Sequence, residues 1–213
     1  MKVLLLNGSP HADGCTAAAL RELAATLEQE GVETQLVQVG DRPVRGCISC
    51  GGCQGTRHRC VLKDYDASGE VDLVNSLLEK MEQSDGLVIG SPVYYASPNG
   101  TLLSLLDRLF YAGDCFQYKP GCVVVSARRA GTTATYDVLN KYLGISGMLQ
   151  VPSCYWNMVH GTNRNEVVQD EEGMRNMRVL GKNMAWLLKS LVVARERVPY
   201  PSPEPPKRTN FIR

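Results

Sequence analysis

Long apolar runs are missing from these 213 residues, and no stretch approaches the roughly 18 apolar residues that a membrane span needs. The first apolar run, Val3–Leu6, has four residues and ends in a polar turn. A signal-peptide core needs about 7–15, so the expected location is cytoplasmic, with no membrane partner. An excess of one charge is missing too. Lys plus Arg number 23 and Asp plus Glu 22, a net charge of +1, which leaves no global polybasic surface for nucleic acid. Hydrophobic residues at 44% and charged residues at 21% are ordinary globular values and exclude wholesale disorder. A domain of this size buries roughly 70% of its unfolded surface and needs no disulfides. Cysteine, by contrast, is plentiful. Eight are present, and a reducing compartment discourages disulfides, so burial or chemistry must account for them.

Five apolar, β-branched runs read as strands: Val3–Leu6, Thr34–Val39, Gly86–Ile89, Cys122–Val125 and Leu149–Tyr155. Four are nearly continuous, as strands buried on both faces should be, whereas Thr34–Val39 alternates and suits an edge. Helical periodicity covers Thr16–Gln29, Val71–Glu82, Gly100–Tyr111, Thr132–Leu143 and Glu171–Val193, the first stopping at Gly31. Alternating strands and helices predict an α/β three-layer sandwich with a five-stranded parallel sheet. The turn after the first strand favours the flavodoxin-like order 2-1-3-4-5. Residues 1–196 form that domain, including a loop over 40–66 too long for a plain connection. Residues 197–213 hold five of the eleven prolines and read as an extended, polyproline-like tail.

The first strand runs into Asn7-Gly8-Ser9-Pro10-His11-Ala12-Asp13-Gly14-Cys15-Thr16 and then a helix. Such a turn gathers unpaired backbone N–H groups and a helix dipole, which favours a phosphate. Ser9 and Thr16 add hydroxyls, and Gly8 and Gly14 permit close approach. No Lys-Ser/Thr pair follows the second glycine, so this is not a nucleoside-triphosphate loop. An ordinary turn with Thr16 as a cap is the plainer alternative. After the third strand, Gly90–Gly100 holds Pro92, Val93, Tyr94, Tyr95 and Asn99, a rigid loop whose amides and aromatic faces can hold a flat ring. After the fourth come Ser126, Ala127, Arg128, Arg129, Ala130 and Gly131. In a doubly wound sheet all three loops share the edge where ligands bind.

With Gly8-Ser9-Pro10, Ser91-Pro92-Val93-Tyr94-Tyr95 and the Asp107-Arg108 pair in hand, the sequence resembles the NADPH-dependent FMN reductase branch of the flavodoxin-like superfamily over about residues 1–190. The resemblance implies that Ser9, Pro10, His11, Gly14, Cys15 and Thr16 hold the phosphate of FMN. It places Pro92, Val93, Tyr94, Tyr95 and Asn99 along the isoalloxazine. Ser126, Ala127, Arg128, Arg129 and Gly131 then border its other side. It makes Asp107 and Arg108 structural or interfacial. His11 and Cys15 depart from the residues usual in the family at those positions. No side chain need act as nucleophile or base, because the flavin carries the chemistry.

Cys47, Cys50, Cys53 and Cys60 are spaced C-x2-C-x2-C-x6-C. Thiolates so spaced can converge on one iron–sulfur cluster, although the last gap is longer than in ferredoxin runs and no proline follows. The pattern resembles the iron–sulfur flavoproteins of the same branch, which carry FMN and a [4Fe-4S] cluster and assemble as dimers or dimers of dimers. Zinc, or no metal at all, are the alternatives. Cys122 and Cys154 fall in expected strands and read as buried. Arg42, Arg45, Arg57, His58, Arg59 and Lys63 surround the loop, either as a solvated surface or as a landing patch for an acidic, ferredoxin-like donor. Tyr155 and Trp156 read as lying beside an interface.

Three functions follow as expectations. The first is an FMN-dependent oxidoreductase passing electrons from NAD(P)H to a small acceptor such as a quinone, flavin, nitro or azo compound. The second is an iron–sulfur electron carrier fed by a ferredoxin-like donor. The third is a non-catalytic FMN-binding sensor.

Overall fold

A computed structural model describes residues 1–202 together with 204, 205, 207, 209 and 211. The leucine-rich run after Met1 forms β1 (Lys2–Asn7), an interior strand of a parallel sheet. Its side chains alternate between two fully buried clusters. Leu4 and Leu6 pack on one side with Leu87, Ile89, Val123 and Val125. Val3 and Leu5 pack on the other with Val88, Cys122 and Val124. Truncating any of these leucines to alanine costs about 2–5 kcal/mol, the usual range for a buried methyl cavity.

Helix α1 (Cys15–Gln29) follows and ends as read, with Gly31 at φ +78° just beyond it. The edge strand β2 (Glu33–Gln38) has no fully buried residue, in keeping with its mixed pattern. The long loop is less bare than expected. It holds a 3-10 turn at Gly52–Gly55 and a small antiparallel hairpin of β3 (Asp64–Asp66) and β4 (Gly69–Val71). Helix α2 (Leu73–Glu82) therefore starts later than Val71, capped by the Asp72 side chain. Next come β5 (Gly86–Tyr94), β6 (Ser97–Pro98), α3 (Gly100–Ala112), β7 (Pro120–Ala127) and α4 (Thr132–Ile145).

The fifth strand departs from expectation. In place of one run over Leu149–Tyr155, two short strands, β8 (Leu149–Gln150) and β9 (Met158–His160), pair in parallel with the two ends of β7. Pro152 has no N–H to give a ladder, and the chain leaves the sheet between the two pieces. Cys154 sits on that excursion and is exposed, contrary to the reading of it as a buried strand residue, while Cys122 is buried as read. A short helix α5 (Arg164–Val167) and a long helix α6 (Glu171–Arg195) complete the fold. Helices α1 and α6 cover one face of the sheet and α2, α3 and α4 the other. The principal order is β2-β1-β5-β7, closed by β8 and β9 beside β7, which is the order 2-1-3-4-5.

No helix among the described residues is long and apolar enough to cross a membrane. The start of the proline-rich tail folds back on the chain, with the Tyr200 ring stacked on Tyr118 at 4.6 Å and Arg195 5.6 Å from its face. Pro203 and Pro206, part of the expected polyproline segment, lie outside the described residues.

Candidate functional site

Three glycines let the strand ends approach one another where β1 and β5 diverge. The Gly8 N–H donates to the Gly90 carbonyl at 2.8 Å. A Cβ on Gly40 would stand 2.2 Å from the Gly8 carbonyl oxygen. The Asn99 amide, buried beneath the loops, donates to the Gly8 carbonyl at 2.7 Å and to the Gly40 carbonyl at 3.3 Å. Asn7 and Gln38 face each other in the β1–β2 register. They brace the turn through Asn7 Nδ2 to Gln38 Oε1 (2.6 Å), Gln38 Nε2 to the Ser9 carbonyl (2.6 Å) and the Ser9 N–H to Asn7 Oδ1 (3.2 Å).

Helix α1 begins at this turn with no side chain on its first amides: Gly14 occupies the cap position and makes no side-chain bond. Helix α4 is likewise uncapped at Gly131. The other helices carry Asx caps at Asp72, Asn99, Asn163 and Asp170. Both uncapped ends open from loops at the same sheet edge. First-turn N–H groups have no partner inside the helix, so α1 presents a set of donors and a positive dipole end to any anion placed there.

A cavity of about 270 Å³ sits at this edge. The turn after β1 contributes Ser9, His11, Gly14, Cys15 and Thr16; the β5 end contributes Pro92, Val93 and Tyr94; the β7 end contributes Ser126, Ala127 and Arg128. The structure thus brings together the three loops that the sequence singles out. Pro10, Tyr95, Asn99, Arg129 and Gly131 do not line the cavity. Asn99 acts below it, as the clamp just described. Tyr95 and Ala96 form the two-residue turn between β5 and β6, both with positive φ (51° and 56°), and Tyr95 projects fully into solvent. Such a turn favours Asn-Gly, so Tyr-Ala there holds local strain. Gly131 closes against it, since a Cβ at Gly131 would lie 2.9 Å from the Ala96 Cα.

Gly161, Thr162 and Asn163 complete the wall, and sequence reading missed them. They follow β9, the strand piece hidden by the broken fifth strand. The Cys15 thiol donates to the Gly161 carbonyl at 3.3 Å, and burial pushes its pKa up, so it stays a neutral donor. Asp13, beside the turn, bonds Arg21 and Arg164, which hold its carboxyl below the usual range. The cavity itself carries one arginine, Arg128, and no carboxylate. A donor-rich turn whose one carboxylate, Asp13, is taken up by Arg21 and Arg164, with an uncapped helix behind it, fits a phosphate monoester, and a cavity walled by Pro92, Val93 and Tyr94 fits a flat ring.

The second cluster lies along α3. Cys47, Cys50, Cys53 and Cys60 all line one small pocket with Arg108, Tyr111 and the Val61–Leu62 backbone region. Arg108 is 1% exposed and organises this loop. Its guanidinium pairs with Asp64 at 2.6 Å and donates to Leu62 O (2.5 Å), Arg45 O (3.3 Å) and Cys60 Sγ (3.4 Å). The Asp64 carboxylate in turn accepts the Arg45 N–H at 2.9 Å. The Ser49 N–H points at Cys47 Sγ, 3.4 Å away. Among the described residues no three cysteine, histidine or acidic groups converge tightly enough to hold a single metal ion. A cubane cluster spreads its thiolates across the width of a cube, so four thiols around one pocket, with N–H donors aimed at sulfur, fit that group better than zinc.

The basic residues around this loop are mostly paired. Arg59 meets Glu82, Lys63 meets Asp72, His58 meets Asp114 and Arg42 meets Asp41. Tyr155 and Trp156 are about half exposed on the excursion between β8 and β9, their rings 4.7 Å apart.

Comparison with known proteins identifies the family and the fold. The family model described as NADPH-dependent FMN reductase matches residues 1–163. An iron–sulfur flavoprotein of Methanocaldococcus jannaschii is 29% identical over 198 residues, covering 89% of this chain and 98% of its own. Another from Methanosarcina thermophila is 24% identical over 202 residues, covering 92% and 100%. Among solved structures, RosB with bound 8-demethyl-8-formylriboflavin-5′-phosphate superposes with a TM-score of 0.69 at 17% identity, over 100% of this chain and 94% of that one. The chain belongs to the NADPH-dependent FMN reductase family and has its flavodoxin-like fold.

Proposed function

We propose that this member of the NADPH-dependent FMN reductase family is an electron-transfer flavoprotein that binds FMN at the sheet edge and a [4Fe-4S] cluster in the cysteine pocket. One observation carries the reading: Cys47, Cys50, Cys53 and Cys60, scattered over a 14-residue stretch of irregular chain, all line one pocket. A loop serving only as a connection has no reason to gather four cysteines around one pocket. The similarity to iron–sulfur flavoproteins supports the same choice.

Bound FMN supplies hydride and one-electron chemistry, and a bound cluster supplies one-electron chemistry. The chain's residues do the rest. The uncapped amides of α1, with Ser9 and Thr16, hold the phosphate. The Pro92–Tyr94 segment and Ala127–Arg128 flank the ring. Arg128 lines the cavity and would supply a positive charge to an anionic reduced flavin bound there. At the other site Arg108 and the Ser49 amide donate to sulfur, which favours the more negative, reduced state of a cluster. Helix α3 links the two regions: its cap Asn99 clamps the Gly8 turn, and Tyr111 and Ala112 of its last turn line the cysteine pocket. At 1.5 Å per residue the helix between Asn99 and Tyr111 spans about 18 Å. A second copy of the chain, as dimer or dimer of dimers, would cover the exposed Tyr94 and Trp156 surfaces.

The second reading keeps NAD(P)H as donor. The flavin cavity is open, which leaves room for a nicotinamide to stack. The two are told apart by donor: anaerobic reduction of the flavin by a reduced ferredoxin, with NADH and NADPH reacting at least a hundredfold more slowly, supports the carrier. Rapid reduction by either nicotinamide, with no response to ferredoxin, supports the reductase and overturns the carrier.

A further inference from the structure

A further cavity lies next to the cysteine pocket, away from the flavin site. It has a volume of about 610 Å³, within the range of small-molecule sites, and opens between the last turns of α3 and α4. Its walls are aromatic. Phe110 stacks on Phe116 with ring centroids 4.4 Å apart, and Tyr142 leans on Phe110 at 5.5 Å. Tyr111 is shared with the thiol-lined pocket. Two carboxylates, Asp107 and Asp114, stand at the rim, and no lysine or arginine lines the cavity.

These carboxylates are held in place. The Tyr142 hydroxyl donates to Asp107, and burial together with Asp107 pushes the Tyr142 pKa up, so the phenol keeps its proton and the hydrogen bond fixes the carboxylate in place. Asp114 sits 3.3 Å from His58 Nε2. Neither the flavin nor the cluster reading uses this cavity. An anion would meet two fixed negative charges there, and a neutral apolar molecule would meet a polar rim. A flat cation satisfies both features, because aromatic faces and carboxylates attract positive charge together.

We propose that this cavity is a binding site for a planar aromatic cation, a quaternised heteroaromatic ring of bipyridinium type. The site does not rest on either cofactor reading, since the cavity is built by α3, α4 and the loop between α3 and β7.

The test is calorimetric titration of the FMN-loaded protein with methyl viologen, neutral 4,4′-bipyridine and anthraquinone-2-sulfonate. The expected result is one saturable site for the dication, weakened as salt rises, with the neutral and anionic molecules at least tenfold weaker. The Asp107→Asn/Asp114→Asn double variant should lose at least tenfold in affinity for the dication while keeping its flavin content and melting temperature. A Tyr94→Ala variant at the flavin cavity should bind it as the native protein does. Equal binding of all three molecules would overturn the proposal. So would an affinity that follows Tyr94 instead of the carboxylates. A third contrary result is no binding to the protein at concentrations where it is oligomeric with full binding once dilution dissociates it, which would make this face a contact between copies of the chain.

Discussion

The Thr16 and Ser126 hydroxyls lie 2.8 Å apart, both buried, and join the first turn of α1 to the end of β7. One bond therefore fixes the separation of the two segments proposed to hold phosphate and ring. Thr16→Val keeps the volume but leaves Ser126 without this partner. The expected loss of stability is about 1 kcal/mol, with weaker FMN binding, both read from urea titrations with and without FMN. An unchanged FMN affinity would show that the bond is incidental to the site.

The uncapped start of α1 gives the sharpest substitution. Gly14→Asp would supply the missing cap, and the backbone there is already extended at φ −95°. Replacing a glycine cap gains only a few tenths of a kcal/mol. The same carboxylate would occupy the amides proposed for the phosphate. FMN affinity should fall at least tenfold while the flavin-free protein melts no lower than before. Tight FMN binding by this variant would place the phosphate elsewhere.

Arg108 ties the cysteine loop to α3 through a buried ion pair and carbonyl contacts. Arg108→Ala strands Asp64, which is itself 4% exposed. Breaking one side of such a pair costs about 3–5 kcal/mol. The loop over residues 40–66 should then be cut quickly by protease, and iron should no longer be retained. Arg108→Lys should rescue little, because an ammonium cannot span Asp64, Leu62 and Cys60 at once.

Asp72 predicts an acid dependence. Its carboxylate caps α2 at the Asn75 amide and pairs with Lys63. Partial burial raises its pKa, but the bonds from Lys63 and Asn75 outweigh that and leave it lowered. Its contribution is therefore present above the unfolded carboxylate value of about 3.9 and is lost as pH falls through the lower folded value. The stability gap between native protein and Asp72→Asn should be constant from about pH 7 to 5 and shrink below about pH 4. A gap that persists at about pH 2 would remove the charge from the account.

Much of this architecture is written in local pattern. The Val3–Leu6 run and the glycine-rich turn after it are contiguous, so strand, turn and helix could be read in order. The C-x2-C-x2-C spacing likewise announces convergence. The misses share a cause: each depends on pairing across the fold. The Asn7–Gln38 brace exists only in the β1–β2 register. The role of Arg108 depends on where the cysteine loop runs along α3. Gly161–Asn163 reach the cavity because Pro152 breaks the fifth strand and β9 re-enters the sheet beside the far end of β7. The 64–71 hairpin is too short and polar to stand out by alternation.

The central claim is tested most directly by assaying iron, acid-labile sulfide and FMN on one anaerobically purified sample of the native protein and of Cys50→Ser. The account predicts about four iron and four sulfide per chain in the native protein, with FMN near one per chain. It predicts iron and sulfide largely lost, but FMN retained, in Cys50→Ser. FMN without iron in protein isolated anaerobically and reconstituted with iron and sulfide would contradict the cluster. Failure to bind FMN at all would contradict the flavin site on which the whole reading stands.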